Sequence, residues 1–387
     1  MPIKNFFISL LPQRMSRQVR EIFVSTTLVN FALAMVMIFE PIYLYQIGYS
    51  LQKIMLFYLL VYAVYILIMP LGAKFSRARG YEWGIFWGSC FFALFYLSLF
   101  FITKFNWLFY IAPLIFAVQK MFYWPAYHAG FAKFSDVTEE GKEVSALSVS
   151  TSLVYILGPA FAGFIISNWG YGDLFVIASL IFLLSNLPTL ITQENFRYKD
   201  FSYLQAYKDL VSAENRRSFF AYLGFGEELV VLVVWPISIS LILANILDVG
   251  LVVALATFIT MLITLYIGKL SDSRYKKSVL NLGSAFYAFS WFIRIFVVNQ
   301  VGVFLVDTMS RLAKNIIMVP LTSITYERAK TKSVMSTVVF FEMSLAVGKL
   351  LAILLIYFAL FFVSNDLLAF KLTFILAGFM SLLYSLL

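Results

Sequence analysis

Charged side chains stand in the interior of several long apolar runs of this sequence. Seven of them are Glu40, Lys120, Glu227, Glu228, Asp307, Arg311 and Lys314. Three more, Arg294, Glu342 and Lys349, lie in two further runs. An ionisable group in hydrocarbon costs about 2.5 to 3.5 kcal/mol even on insertion scales, so groups that persist there face a partner or a watery cavity. The chemistry that these residues favour is proton transfer or the binding of a charged solute.

A membrane-buried carboxyl group is the sharpest candidate for proton transfer. Desolvation favours its neutral form, so it can alternate between a proton and a substrate or lysine. We expect Glu227 or Glu228 to have this role, followed by Glu40. Neighbouring helical residues point about 100° apart, so only one of the glutamate pair faces a given point. The alternative for Glu40 is structural, because it precedes Pro41 near a helix end and can snorkel to the surface.

The remaining intramembrane charges have structural alternatives as well. Asp307 and Arg311 are four residues apart, which places them on one helix face where they can neutralise each other. Lys120 and Lys314 are candidate partners for the acids. His128 is the only histidine, and an interfacial packing role is favoured over a proton relay.

The composition requires a bilayer as the solvent. Hydrophobic residues are 62% of the 387 residues and charged residues are 13%, and the mean hydropathy is +0.88. The net charge of +9 is dispersed in short clusters between apolar runs, a pattern that indicates positive cytoplasmic loops rather than a nucleic-acid surface. A lone cysteine, Cys90, gives no metal cluster, so we expect neither metal nor cofactor.

Runs of about 20 apolar residues predict an all-α polytopic protein with twelve transmembrane helices. They fall near 22–46, 51–71, 83–103, 107–129, 144–167, 172–192, 218–245, 249–268, 278–298, 301–325, 334–361 and 367–387. Two six-helix bundles, 1–192 and 218–387, are then joined by a cytoplasmic linker, 193–217, and the first begins with a short interfacial segment. Most of the lysines and arginines fall on one side, which predicts cytoplasmic N- and C-termini in a plasma (inner) membrane.

The two halves share landmarks at nearly one offset. Pro41 matches Pro236, Gly72 matches Gly268, Lys120 matches Lys314 and Pro125 matches Pro320, at offsets of 194 to 196 positions. Gly158 and Gly348 pair at a slightly shorter offset. An ordered series of this kind predicts a parallel repeat, and helices interrupted at Pro41, Pro236 and Pro320 would point to a binding region between the copies.

Two stretches carry a family resemblance. Gly268, Asp272 and Arg274, followed by more basic residues, resemble the loop signature of the major facilitator superfamily. The matching first-half loop keeps Gly72 and Arg77 but has Ser76 in place of the aspartate.

Gly158 and Pro159, followed by Ala162 and Gly163, are similar to the Gly-Pro motif of antiporters in that superfamily, and they favour export. The resemblance implies twelve helices in two bundles related by a pseudo-two-fold axis. It also implies that helices 1, 4, 7 and 10 line a central cavity.

The sequence thus predicts a secondary transporter of a small solute that works by alternating access, proton-coupled and acting as an exporter. We expect a monomer whose partners are the solute, protons and membrane lipids, with no nucleic acid. No P-loop is present to couple ATP hydrolysis, and no enzyme is expected. The alternatives are a lipid-handling protein, either a scramblase or a lipid-modifying enzyme, and a non-transporting receptor.

Overall fold

The computed structural model describes residues 17–134, 140–188, 201–267, 276–331, 333–363 and 365–387. All regular structure in these ranges is helical. The loop residues Gly268, Asp272 and Arg274 and the predicted interfacial segment up to residue 16 lie outside the described residues.

The N-terminal part of the chain forms seven helices. They are α1 (Arg17–Val36), α2 (Phe39–Gln46), α3 (Leu51–Arg79), α4 (Tyr81–Phe101), α5 (Leu108–Phe134), α6 (Glu140–Trp169) and α7 (Tyr171–Leu184). The first two correspond to one predicted span that is interrupted between Val36 and Phe39.

The C-terminal part forms nine more helices. They are α8 (Tyr203–Val211), α9 (Arg216–Tyr222), α10 (Glu227–Leu229), α11 (Trp235–Leu243), α12 (Ile246–Ile267), α13 (Lys276–Ile293), α14 (Gln300–Thr331), α15 (Val334–Ala359) and α16 (Asp366–Leu382). A 3₁₀ turn at Leu223–Gly226 and a π-helical turn at Val230–Val234 make the chain from α9 to α11 irregular.

Nine helices in the described part of the chain are long and apolar enough to cross a membrane, which confirms an integral, polytopic membrane protein. Three predicted spans fall outside this group. The helix α7 has only 14 residues. The helices α5 and α14 are long, but they carry polar residues, among them Lys120 and Arg311. The count of twelve spans stays a prediction.

The predicted span near 51–71 places Gly72 just after the end of a helix, and the structure contradicts this placement. Helix α3 continues through it to Arg79 and ends at Gly80, whose φ of 106° favours glycine. Gly72 instead allows α3 to approach α5, since a Cβ at this position would lie 1.8 Å from the carbonyl oxygen of Met121. The glycine therefore has a packing role inside the helix.

Small residues also bring the N-terminal and C-terminal helices together. Helix α6 packs on α12 and helix α3 on α15. A Cβ on Gly250 would lie 2.3 Å from the carbonyl oxygen of Pro159, and Gly158 lies against Ala34 of α1. Side chains without bulk allow such close backbone approach in membrane helices. The Gly-Pro pair therefore lies where α6 contacts both α1 and α12.

Pro41 and Pro236 accompany helix interruptions, and Pro320 does not. A proline ring clashes with the carbonyl four residues earlier, which is Met37 for Pro41 and Leu232 for Pro236. Met37 lies between α1 and α2, and Leu232 lies in the π-helical turn. Pro320 stands inside the continuous helix α14, so the predicted interruption at this residue is wrong.

Candidate functional site

A cavity of about 350 Å³ lies between helices from the two parts of the chain, and we call it the central cavity. The side chains that line it from α1 to α6 are Leu33, Met37, Glu40, Tyr58, Tyr62, Tyr65, Phe92, Tyr96, Phe116, Lys120, Trp124, His128 and Tyr155. Those from the second half are Phe225, Glu228, Leu229, Leu232, Val233, Met318, Phe341, Glu342, Leu345 and Lys349. Its volume is at the lower end of the range for small-molecule sites.

Glu40 lies on the wall of this cavity and is only 3% exposed. Tyr58 donates a hydrogen bond of 2.7 Å to one carboxylate oxygen, and Tyr96 donates one of 3.1 Å to the other. Within the described ranges no basic group lies within 4 Å of it. Glu40 therefore points inward and does not snorkel to the surface.

Lys120 of α5 lies on the same wall among aromatic rings. Its ammonium is 4.4 Å from the centre of the Phe116 ring and 5.6 Å from that of Tyr62. These distances permit cation–π attraction. Among the residues that the structure describes, no carboxylate lies within ion-pair distance of this lysine. The contacts of the Lys120 ammonium are therefore the faces of aromatic rings.

Helices of the second half carry a cluster of acids and lysines beside the cavity, and Lys349 of this cluster lies 5.5 Å from the centre of the Tyr62 ring that Lys120 also faces. Glu228 contacts Lys349 at 2.9 Å and Lys314 at 3.3 Å. Lys314 also contacts Glu227, which is fully buried behind the cavity wall. Both lysines are thus held by carboxylates, and only Glu228 and Lys349 of the four line the cavity.

Two tyrosine hydroxyls complete the surroundings of Glu227. Tyr287 donates a hydrogen bond of 2.7 Å to one oxygen, and Tyr384 donates one of 2.9 Å to the other. Lys314 donates a further bond of 2.7 Å to the Tyr384 hydroxyl. The prediction that one member of the Glu227–Glu228 pair faces the cavity agrees with this arrangement, although both reach Lys314.

A separate cluster lies away from the cavity lining. Arg311 contacts Asp307 at 2.7 Å, one turn along α14, so the structure forms the predicted pair. The guanidinium of Arg294 lies 3.7 Å from the ring centre of Trp291 and 4.6 Å from that of Trp235. Trp235 in turn donates to Asp307 at 3.1 Å. Asp307 lies within ion-pair distance of both arginines, and these contacts together with the ring stacking give the cluster a structural character.

His128 takes part in a contact between the two halves. Its Nε2 lies 3.2 Å from Glu342 of α15, and Tyr65 of α3 donates a bond of 2.9 Å to the other oxygen of that acid. The histidine lines the cavity, so it is more than the interfacial packing residue that was favoured from the sequence.

The sequence prediction missed the tyrosine wall. Tyr58, Tyr62 and Tyr65 follow one another at spacings of four and three residues, which places them on one face of α3. Glu342 and Lys349 are seven residues apart on α15, also one face. These periodicities were the available signal that α3 and α15 contribute to the cavity.

The remaining predicted positions either have packing roles or lie outside the residues that the structure describes. Arg77 is half-buried in the last turn of α3, and its Nε has no hydrogen-bond partner among the described residues. Gly268, Asp272 and Arg274 are outside those residues. No group of His, Cys, Asp and Glu suited to a metal ion occurs in the ranges that the structure covers.

A bundle of apolar helices around a charged internal cavity is the architecture of a polytopic membrane transport protein. The family model described as Major Facilitator Superfamily matches residues 22–225, just over half of the chain, and the chain belongs to this superfamily. No curated protein matches it. The family confirms an all-α membrane transporter and not an enzyme.

Proposed function

We propose that the chain is a proton-coupled secondary transporter that moves a small solute through the central cavity by alternating access. Two bundles, residues 1–192 and 218–387 joined by the linker 193–217, would rock about this site. The observation that supports this most is the cavity itself, because helices of both bundles line it and buried acids and lysines face it.

Glu40 is the best-supported proton carrier among the three predicted acids. Glu227 and Glu228 contact lysines, and loss of the negative charge of either acid would leave a lysine inside the membrane without its counter-charge. The partners of Glu40 are two tyrosine hydroxyls. A hydroxyl both donates and accepts, so it can satisfy Glu40 in the charged and in the protonated form.

Export is the proposed direction, and it rests on the resemblance of Gly158 and Pro159 to the antiporter motif. The place of these residues fits a role in alternating access, since α6 packs there on α12 of the other bundle. A helix interface without bulky side chains can shift with little steric cost.

The test is flux in proteoliposomes with an imposed pH gradient. The solutes are glucose, glycine, tetraphenylphosphonium and 3-phenylpropionate, and an internal pH dye reports proton movement. We expect at least one solute to move in response to the gradient, and Glu40→Gln to abolish the response. Asp173→Asn, at an exposed acid on α7, is the control and should behave as wild type.

The same vesicles separate the rival functions. If no solute responds to the gradient while a labelled phospholipid crosses between leaflets, the protein handles lipids and the transporter proposal fails in its finer form. Retention of proton-driven flux in Glu40→Gln would remove Glu40 from the mechanism and return Glu227 and Glu228 to first place.

A further inference from the structure

The acids that line the central cavity already have partners among the described residues. Each of their carboxylate oxygens lies within 3.3 Å of one hydroxyl or basic group. These groups are Tyr58 and Tyr96 for Glu40, Lys314 and Lys349 for Glu228, and His128 and Tyr65 for Glu342. Each oxygen can still accept a second hydrogen bond, but the partners already present weaken the attraction that these acids exert on a cationic solute.

Lys120 is in the opposite situation. An ammonium carries three N–H donors, and in the described part of the chain the contacts of this one are the rings of Phe116 and Tyr62. Glu40 is near enough to attract it electrostatically but lies beyond ion-pair distance. Lys349, the other cavity lysine, has Glu228 at 2.9 Å. Among the described residues that line the cavity, Lys120 is therefore a strong donor without a hydrogen-bond acceptor, whereas the acids already have partners.

The ring-rich surroundings of Lys120 define the rest of the ligand. Phe116, Tyr62 and Tyr96 line the cavity beside it, together with Trp124 one turn along α5. Aromatic side chains of this kind favour an apolar or aromatic body through offset and edge-to-face contacts. A polar solute such as a sugar would bring donors for which the described lining leaves few free acceptors.

We infer that the cavity binds an organic anion, a carboxylate on an apolar or aromatic body, with Lys120 as the residue that binds the carboxylate. This assignment rests on the proposed function in one respect, the use of the central cavity as the solute site. A charge-assisted bond from a partly desolvated ammonium selects an anion over a neutral acceptor of the same shape.

The test uses three probes with one shared body: 3-phenylpropionate, 3-phenylpropionamide and 3-phenylpropylamine. Binding to the purified full-length protein in detergent is measured by tryptophan fluorescence and by calorimetry at a single pH. Trp124 lines the cavity, so it reports occupancy. We expect the carboxylate to bind, and the amide and the amine to bind at least about tenfold more weakly.

Variants assign the selectivity to Lys120. Lys120→Met should lower the affinity for 3-phenylpropionate by about tenfold to a hundredfold, and Lys120→Arg should keep part of it. Lys104→Met is the matched control, since Lys104 is exposed and lies 5.5 Å from the ring centre of Phe105, away from the cavity. Its binding should equal that of wild type, and melting temperatures verify that all variants are folded.

Three results would overturn the inference: preference for the amine, equal binding of all three probes or of none, and unchanged carboxylate binding by Lys120→Met. The binding assay needs no pH gradient, so it fails or succeeds independently of the proposed coupling. Proton-driven movement of an amine would support the proposed transport function and refute the anion site. Carboxylate binding without any flux would support the anion site and refute the proposed transport function.

Discussion

Lys120 and Lys314 are a pair that the predicted repeat places at equivalent positions of the two halves, yet their surroundings differ. Lys314 contacts Glu227 and Glu228 and donates to Tyr384, whereas Lys120 meets aromatic rings. The positions in α1 that match the two glutamates, at the offset of Pro41 and Pro236, are Ala32 and Leu33. The second-half lysine thus has carboxylate partners, whereas within the described residues the first-half lysine has none at ion-pair distance.

A second matched pair shows the same division. Glu40 and Tyr96 share a hydrogen bond in the first half, and the residues at the same offset in the second half are Trp235 and Trp291. There the two indoles flank the guanidinium of Arg294. At the position that the predicted repeat assigns to Glu40, the second half thus carries an arginine–tryptophan–aspartate cluster away from the cavity lining, where the first half carries a carboxyl group on the cavity wall.

The largest expected effect is a difference in stability between the variants Lys314→Met and Lys120→Met. Lys314→Met removes the cation from a cluster whose Glu227 is fully buried, and loss of one partner of a buried pair costs about 3–5 kcal/mol. Lys120→Met breaks no ion pair among the described residues and should change the free energy of unfolding by less than about 1 kcal/mol. Thermal and denaturant unfolding in detergent measure both.

Equal destabilisation by the two substitutions would contradict the comparison. It would mean that Lys120 has a carboxylate partner in the folded protein or that the acids of the second half do not depend on Lys314. Lys104→Met, which should leave the free energy of unfolding unchanged, sets the baseline for removal of a lysine charge.

A new acid in the first half should have the next largest effect. Leu33 lines the cavity and matches Glu228 of the second half. Leu33→Glu would give Lys120 an internal partner, so the affinity for 3-phenylpropionate should fall by about tenfold. Leu33→Gln, of the same size but uncharged, should reduce it less. The outcome that counts against this idea is an equal loss in both variants, which would indicate a steric effect.

How far the sequence predicted these features depends on how local each one is. Long apolar runs predicted the helices, and the four-residue spacing predicted the pair Asp307–Arg311, because a helix fixes which neighbours meet. The contact between His128 and Glu342 joins helices far apart in the chain, and no local pattern shows that they face each other. The π-helical turn at Val230–Val234 was also unforeseen, since Pro236 alone signals only that the helix is disturbed nearby.

Gly72 shows the same limit for backbone features. The sequence placed it just after a helix, because the apolar run that predicts the second span was bounded near 51–71. In the structure α3 continues to Arg79, and the glycine is required instead by the approach of α5. Tertiary packing decided its role, and single-chain periodicity has no access to that information.

The smallest expected effect comes from removing one tyrosine hydroxyl from Glu40 or from Glu227. Tyr96→Phe leaves one oxygen of Glu40 without its donor, and Tyr384→Phe removes one of several contacts from the Glu227 cluster. A hydrogen bond contributes about 0.5–1.5 kcal/mol, and about 1.5–3 kcal/mol when its acceptor is charged, so each variant should lose about 1–2 kcal/mol of unfolding free energy. Their transport should differ, since only Glu40 is proposed to exchange a proton.

We therefore expect Tyr96→Phe to lower pH-driven flux several-fold and Tyr384→Phe to leave it close to wild type. Flux in proteoliposomes and unfolding in detergent are measured on the same preparations, so that a transport loss cannot be mistaken for loss of folded protein. If Tyr384→Phe lowers the flux as much as Tyr96→Phe, protons pass through the acid cluster of the second half. The division between a structural half and a proton-exchanging half would then have to be abandoned.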